Sequence, residues 1–366
     1  GICNSGDEAI LSVLLNRYKT EFDITVISLN CEYTRLYHSD IFCIENNNTS
    51  KCKEAIKKCD VFILGGGGLL QDQTTIFNIF RWLKYLQYAI KQKKKTMLYA
   101  NSIGPLKYII SKRYVKKYLN KVTLITLRDK TSERLLRSIG VHVHIEVTAD
   151  PVFSMNTFKQ LDKQRILNDD LNIKLPPRYI CISVRHWFDT IPFIPVSLCS
   201  KFNLRSKKNT TAYKNYINTL AQITSYCIKT KNIPIVFVSF LPQRDTKVIK
   251  DIIKKTNIPD KCIIISEHLS PQIMANIIGR SDFLIGMRLH SIIYAIIYNI
   301  PFIALNYSMK VKAILQYMHL NDYILDLNTL DLESFTEMFS TYHIEDVKQK
   351  MTVIFQEMQR KERKND

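Results

Sequence analysis

No two cysteines in this chain are spaced Cys-x-x-Cys, although nine are present, at positions 3, 31, 43, 52, 59, 181, 199, 227 and 262. The odd count and irregular spacing argue against a zinc ribbon and against a disulfide framework, so reduced thiols and a cytoplasmic location are expected. A bilayer span takes about 20 apolar residues. The most lipid-like stretch, Ile292 to Leu305, is shorter and is broken by Asn299 and Pro301. No signal peptide precedes the first element, and the chain opens on Gly1 in a loop-like stretch, from which a missing first strand is expected. Repeats and low-complexity segments are absent. Acidic residues are in deficit, 33 Asp and Glu against 52 Lys and Arg, for a net charge of +19. That excess suits anionic partners such as phosphorylated substrates or an acidic membrane face. Biased composition of an Ile-, Lys- and Asn-rich sequence is the plainer explanation. Nucleic acid is not expected as a partner, because none of the usual recognition motifs is present.

At 366 residues the chain is long enough for two domains of roughly 150 to 200 residues. The pattern is organised around Gly286 to Lys310. An apolar strand (Phe283 to Ile285) exits at Gly286-Met287-Arg288-Leu289-His290, an apolar helix follows, and a second strand (Phe302 to Leu305) leads to Lys310. Ligands of open α/β sheets bind at the carboxyl ends of strands, so Arg288, His290 and Lys310 are candidates to meet one anion. Taken alone, His290 reads more readily as a structural histidine, and it is the three cations at adjacent strand exits that favour a site.

From the start, Asn4-Ser5-Gly6-Asp7 precedes the helically spaced apolar positions Ala9, Ile10, Val13 and Leu14. Asn4 and Asp7 therefore sit at a helix start, where backbone donors attract anions and where Asp7 can act on a ligand; a capping acid is the alternative. Strands are expected at 24–29, 61–64, 97–100 and 124–126, with helices at 50–58, 75–93 and 130–138. The strand Val61 to Leu64 ends in Gly65 to Gly68. Such a run lets backbone approach a ligand closely, with Gly66 and Gly67 at its centre. It matches neither a dinucleotide fingerprint nor a P-loop, which would need a following Lys-Ser/Thr. Lys107 to Lys121 interleaves basic with aromatic and aliphatic residues, a pattern that suits an anionic membrane surface or a core helix with a basic outer face. Val141 to Val147 alternates strictly, placing His142, His144 and Glu146 on one face; without a fourth ligand this reads as the polar side of a strand.

Polar residues 154–178, including Pro176-Pro177, read as a linker. A second α/β pattern then begins, with strands at 179–184, 234–239 and 262–265 and charged exits at Arg185-His186-Trp187 and Pro242-Gln243-Arg244-Asp245. The expected fold is α/β: two Rossmann-like doubly wound domains facing across a cleft. Residues 1–153 form the first, 179–330 the second and 331–366 a helical tail.

The order of NSGDEAIL, DVFILGGGGLLQD, NSIGP, LRDKTSERLLRSIGV, TADPVF, ISVRHW and SDFLIGMRLHSIIYAIIYNIPFIALNYSMK resembles the polysaccharide pyruvyl transferase family over nearly the whole chain. The resemblance implies a glycosyltransferase-B-like architecture with the acceptor on the first domain and the donor on the second, and a terminal helix that crosses back to the first. It implies an enzyme that moves the enolpyruvyl group of phosphoenolpyruvate onto a sugar of a cell-surface glycan precursor, forming a cyclic pyruvate ketal and releasing phosphate. It further implies that Arg128, His290 and Lys310 bind phosphoenolpyruvate, which is a substrate; no cofactor or metal is expected. Arg185, Arg288, Asn4, Gly66 and Gly67 are further candidates for substrate binding, and His290 and Asp7 for catalysis. Ser308-Met309 stands where the family commonly has Asp-Pro, which makes the turn before Lys310 different. The expected partners are phosphoenolpyruvate, a glycan or lipid-linked saccharide, and the inner face of the cell membrane as a peripheral contact. A nucleotide-sugar glycosyltransferase on the same fold is the alternative reading.

Overall fold

The computed structural model describes residues 4–73, 75–155, 174–187, 199 and 204–365, without the side chains of Met309 and Lys310. The expected linker falls mostly outside these residues. The chain divides into two compact units. Unit 1 comprises residues 1–155, 313–319 and 356–366, and unit 2 comprises 156–312 and 320–355.

Unit 1 begins with α1 (Ser5–Tyr18), capped by the Asn4 side chain, which accepts from Gly6 N at 3.2 Å. A two-stranded parallel sheet follows, β1 (Thr25–Ser28) beside β2 (Phe42–Glu45), joined through α2 (Cys31–Tyr37). Helix α2 and strand β2 escape a periodicity reading because each is short and exposes a large apolar residue, Leu36 and Phe42. Cys31 and Cys43 form a disulfide with Cα atoms 5.8 Å apart, which corrects the expectation of reduced thiols throughout. The pairing of β2 with β1 brings together two cysteines that irregular sequence spacing does not mark as partners. After α3 (Thr49–Lys58) comes a four-stranded parallel sheet in chain order. Its strands are β3 (Val61–Leu64), β4 (Lys95–Asn101), β5 (Leu124–Leu127) and β6 (Ile145–Val147). Strand β3 lies at the sheet edge, with Val61 46% and Ile63 36% exposed.

The intervening helices α4 (Phe77–Lys91), α5 (Ile109–Leu119) and α6 (Lys130–Ser138) bury Leu83, Leu86, Val115, Leu119 and Leu136 in the core of this sheet. The strict alternation at 141–147 yields strand only over its last three residues. The Asn120 side chain accepts from His142 N, and Arg137 donates to the carbonyls of Val141 and Val143, so that backbone is satisfied outside the ladder. His144 lies 3.9 Å from Glu146 at the surface. Among the described residues, no cluster of three His, Cys, Asp or Glu side chains could hold a metal ion.

Unit 2 is built on a six-stranded parallel sheet ordered β12-β11-β10-β7-β8-β9. The strands are β7 (Ile180–Ser183), β8 (Ile235–Val238), β9 (Cys262–Ile265), β10 (Phe283–Gly286), β11 (Phe302–Asn306) and β12 (Ile324–Asp326). Every residue of β7, β8, β10 and β11 is buried, which is why they read as unbroken apolar runs. The helices are α7 (Lys207–Lys231), α8 (Pro242–Lys255), α9 (Pro271–Gly279), α10 (Leu289–Ile297), α11 (Met309–Tyr317), α12 (Leu332–Ser340) and α13 (Ile344–Glu362). From β7 the chain lays strands outward in one direction and from β10 in the other, so the winding reverses between these neighbours.

The end of α13 belongs to unit 1. There the buried Glu362 carboxylate accepts from Arg17 Nη1 at 3.0 Å and Nη2 at 2.8 Å, and also from Ser154 Oγ. Asn365 accepts from Thr148 Oγ1 at 2.7 Å and donates to the Ala149 carbonyl at 3.2 Å. None of the described helices is long and apolar enough to cross a membrane.

Candidate functional site

In a doubly wound sheet the winding reversal leaves a crevice outside the carboxyl ends of the two strands concerned. In unit 2 these are β7 and β10, whose last residues Ser183 and Gly286 are paired in register. Arg185 and Arg288 each follow two residues later, so the ladder itself places both guanidiniums at the crevice. The Arg185 Nη1 donates to the Tyr307 hydroxyl. Its guanidinium also lies 4.5 Å from the Tyr307 ring centroid and 5.4 Å from that of Trp187. Tyr307 follows the end of β11, the neighbour of β10, so three strand ends contribute to one cluster.

Arg288 is held by Asp245, an acid in the first turn of α8. Its Nη2 lies 2.5 Å from both Asp245 oxygens. The fully buried Asp245 also accepts from the backbone N–H groups of His186 at 3.0 Å and Leu241 at 3.1 Å. One carboxylate thereby ties together the exits of β7, β8 and β10. Arg185 and Arg288 both act on Tyr307, where their positive charge is felt. Burial pushes the Tyr307 phenol up, but Arg185 and Arg288, with hydrogen bonds from Arg185 and Ser308, outweigh it and hold the group below the ordinary tyrosine value. Burial pushes the His186 imidazole down to about 4, helped by Arg205 and opposed by Asp245. His290 is half-buried in the first turn of α10, directly after Arg288 and Leu289. Lys310 is the second residue of α11, and its side chain lies outside the described part.

In unit 1 the glycine run leaves β3 beside the start of α1. A Cβ on Gly66 would stand 2.8 Å from Ile10 Cγ2 and 3.2 Å from the Tyr99 carbonyl oxygen, so a side chain there requires its neighbours to move. Gly67 has φ +106°, a conformation that other residues rarely adopt, and Asp7 Oδ1 lies 3.5 Å from where its Cβ would be. Asp7 and the glycine backbone are thus together. The Gly67 carbonyl accepts from Ser102 N at 2.9 Å. The buried Asn101 side chain donates to the carbonyls of Leu64, Gly65 and Tyr99, fastening the loop to β4.

Arg128 leaves β5 and is buried. Its Nε donates to Ser102 Oγ at 2.8 Å, and its Nη1 pairs with Asp150. Ser102 Oγ in turn donates to Asp129 at 2.8 Å, and Asp129 caps α6 by accepting from Ser132 N at 2.7 Å. The arginine is therefore one member of a polar network that joins the exits of β4, β5 and β6. Asn4 spends its side chain on capping α1.

The structure thus brings Asp7 together with Gly66 and Gly67, which Ser102 links to Arg128, and in unit 2 it brings Arg185 together with Arg288. Sequence reasoning missed Asp245, Asp150, Ser102 and Tyr307 as members of these clusters. Each was visible as a polar residue at a strand exit, and none announced its partner.

These features define a chain of two Rossmann-like domains with the glycosyltransferase-B-like fold. It is similar over 99% of its length to a glycosyltransferase from Rickettsia africae, with 93% of that chain covered, 16% identity and a TM-score of 0.57. It is also similar to UDP-GlcNAc 2-epimerase from Neisseria meningitidis bound to UDP-GlcNAc, at 12% identity and TM-score 0.60, over 95% of this chain and 91% of the other. A third likeness, to a UDP-N-acetylglucosamine 2-epimerase assignment from Listeria monocytogenes, has 9% identity and TM-score 0.59, covering 95% and 87%. At such identities these likenesses speak for the fold. By sequence, no curated protein matches. The family model for polysaccharide pyruvyl transferase matches residues 4–309, and the chain belongs to that family.

Proposed function

We propose that the protein transfers the enolpyruvyl group of phosphoenolpyruvate to two hydroxyls of a sugar in a cell-surface glycan precursor. The observation that carries this reading is the placement of Arg185 and Arg288 at the two strand ends flanking the winding reversal of unit 2, in a chain of this family. Phosphoenolpyruvate presents a phosphate and a carboxylate, and guanidiniums match both as paired donors. In this reading Arg128, His290 and Lys310 are further donor ligands, Gly66, Gly67 and Asn4 line the acceptor side, and no cofactor takes part. A cytoplasmic location is kept as part of this proposal, but it does not rest on the cysteines, since Cys31 and Cys43 form a disulfide.

The chemistry balances without a redox partner. A proton adds to the methylene carbon of the enol, the adjacent carbon becomes electrophilic, and one sugar hydroxyl attacks it. The carbon–oxygen bond to phosphate breaks, and the second hydroxyl closes the ketal. Of the two hydroxyl protons, one balances the new methyl group and the other leaves with phosphate. His290 is assigned to the leaving phosphate or the proton, and Asp7, beside the Gly67 backbone, is assigned as general base for a sugar hydroxyl. Asp7→Asn is expected to lower kcat about 100-fold or more with little change in donor KM; near-full turnover would remove Asp7 from that role.

The test of the function is incubation of the protein with phosphoenolpyruvate and a panel of synthetic or lipid-linked saccharides, followed by phosphate release and detection of the ketal methyl group. A nucleotide-sugar transferase is the second reading, favoured by the UDP-GlcNAc-bound epimerase among the similar structures. It requires UDP to raise the melting temperature where phosphoenolpyruvate does not.

A further inference from the structure

Between Pro105 and Lys121 six basic residues stand with no acidic one. Helix α5 turns Ser111, Val115 and Leu119 into the core of unit 1, the spacing of a single buried face. Its remaining surface has an apolar beginning that the core does not use: Tyr108 is 52%, Ile109 66% and Ile110 54% exposed. Lys107, Arg113, Lys116 and Lys117 are exposed around it, and Lys112 is half-buried. The turn is held in place. The Asp72 carboxylate accepts from Lys107 N at 2.7 Å and Tyr108 N at 3.0 Å, and Asp72 N donates to the Pro105 carbonyl at 3.1 Å.

A second helix extends the patch. Helices α4 and α5 both return from the carboxyl ends of parallel strands, so they run in the same direction, and Phe80 meets Tyr114 with ring centroids 4.6 Å apart. One turn earlier on each lie Phe77, 73% exposed, and Ile110, so these apolar side chains mark the same end of the helix pair.

We propose that this end of unit 1 docks on an anionic phospholipid bilayer. Tyr108, Ile109, Ile110 and Phe77 enter the interface, while Lys107, Arg113, Lys116 and Lys117 meet lipid phosphates. Apolar side chains ringed by cations suit that boundary, where burial and charge attraction act together. A second copy of the chain is the poorer occupant, because a two-fold contact would set these like charges against one another. A nucleic acid would leave the isoleucines in water. The patch lies at the carboxyl end of the strands, where β3 leads into the glycine run and β4 ends at Asn101, so docking brings that end to the lipid surface. The inference rests on the surface and not on the donor chemistry, so failure of one leaves the other standing.

The test is co-sedimentation of the full chain with phosphatidylcholine vesicles with and without phosphatidylglycerol, at low and high salt. Binding is expected only with the anionic lipid and is expected to weaken as salt rises. Ile109→Asp with Ile110→Asp, and separately Arg113→Glu with Lys117→Glu, are each expected to weaken binding about tenfold or more while leaving the melting temperature unchanged. Absence of binding, equal binding to neutral vesicles, or binding indifferent to both double variants overturns the proposal. So does a dimer in sedimentation that the isoleucine variant dissolves, or tighter binding to RNA than to vesicles that the isoleucine variant leaves intact.

Discussion

Two arginines leave strand ends in this protein in opposite electrostatic circumstances. Arg128 in unit 1 is buried against its own carboxylate, Asp150, and its Nε is taken up by Ser102. Arg288 in unit 2 shares Asp245 with a neighbourhood that also contains Arg185, whose nearest polar partner is the phenol of Tyr307. The first arrangement sets one guanidinium against two buried carboxylates, Asp150 directly and Asp129 through Ser102, and is woven into three strand exits. Among the described residues the second keeps a surplus of positive charge, which holds the Tyr307 hydroxyl below its ordinary value against the effect of burial. A strand-exit arginine therefore says little about function until its counter-ion is known. A guanidinium with a buried carboxylate partner secures the fold whatever ligand it also meets, whereas Arg185 and Arg288, with Asp245 held against Arg288, leave capacity for an anion.

The largest effect that separates the two is on stability. Arg128→Ala leaves the Asp150 carboxylate buried without its cation and is expected to cost about 3–5 kcal/mol in urea unfolding. A cost below about 1 kcal/mol would place Arg128 with the surface arginines instead. The family resemblance alone suggests a pure loss of donor affinity for this substitution, and the buried pair shows why stability must be measured beside it. Next in size is Asp245→Asn, which keeps an acceptor for one only of the His186 and Leu241 N–H groups, since these bind different carboxylate oxygens, and removes the charge opposite Arg288. A stability loss of about 1–3 kcal/mol is expected, together with a shifted donor KM as Arg288 loses its fixed position. An unchanged KM would mean that Asp245 has no part in placing the guanidinium.

A third effect is a pH dependence. His186 titrates near 4 in the folded chain and at about 6.5 when unfolded. Over that window the unfolded state binds more protons, so stability falls as pH drops from about 6.5 towards 4. His186→Asn is expected to flatten that part of the profile, measured as urea midpoint against pH. An identical slope in the variant would assign the dependence to other groups.

Much of the frame was legible in the sequence because its central strands are buried on both faces. Ile235 to Val238 and Phe283 to Gly286 carry no polar side chain. The charged exits were legible for the same reason, since each interrupts an apolar run. Strand β6 was read too long because alternation at Val141 to Val143 reflects a backbone held by Asn120 and Arg137, which a pattern of hydrophobicity does not record. The partners of the site arginines were also hidden. Asp245 is 43 residues from Arg288, and Tyr307 is 122 from Arg185. Nothing local distinguishes an acid in the first turn of a helix that caps from one that reaches across two strands. Cys31 and Cys43 were concealed likewise, since only the β1–β2 pairing sets them side by side.

The central claim, that the surplus charge of unit 2 receives phosphoenolpyruvate, is tested most directly by calorimetric titration of that compound into the protein and into Arg185→Ala. Among the described residues this substitution strands no buried carboxylate, because Arg185 leans on Tyr307 and Trp187. The account predicts saturable binding to the unaltered chain, weakened about 10- to 100-fold by the substitution with the melting temperature nearly unchanged. Binding of equal strength in both proteins, or saturable binding of UDP with none of phosphoenolpyruvate, would contradict it.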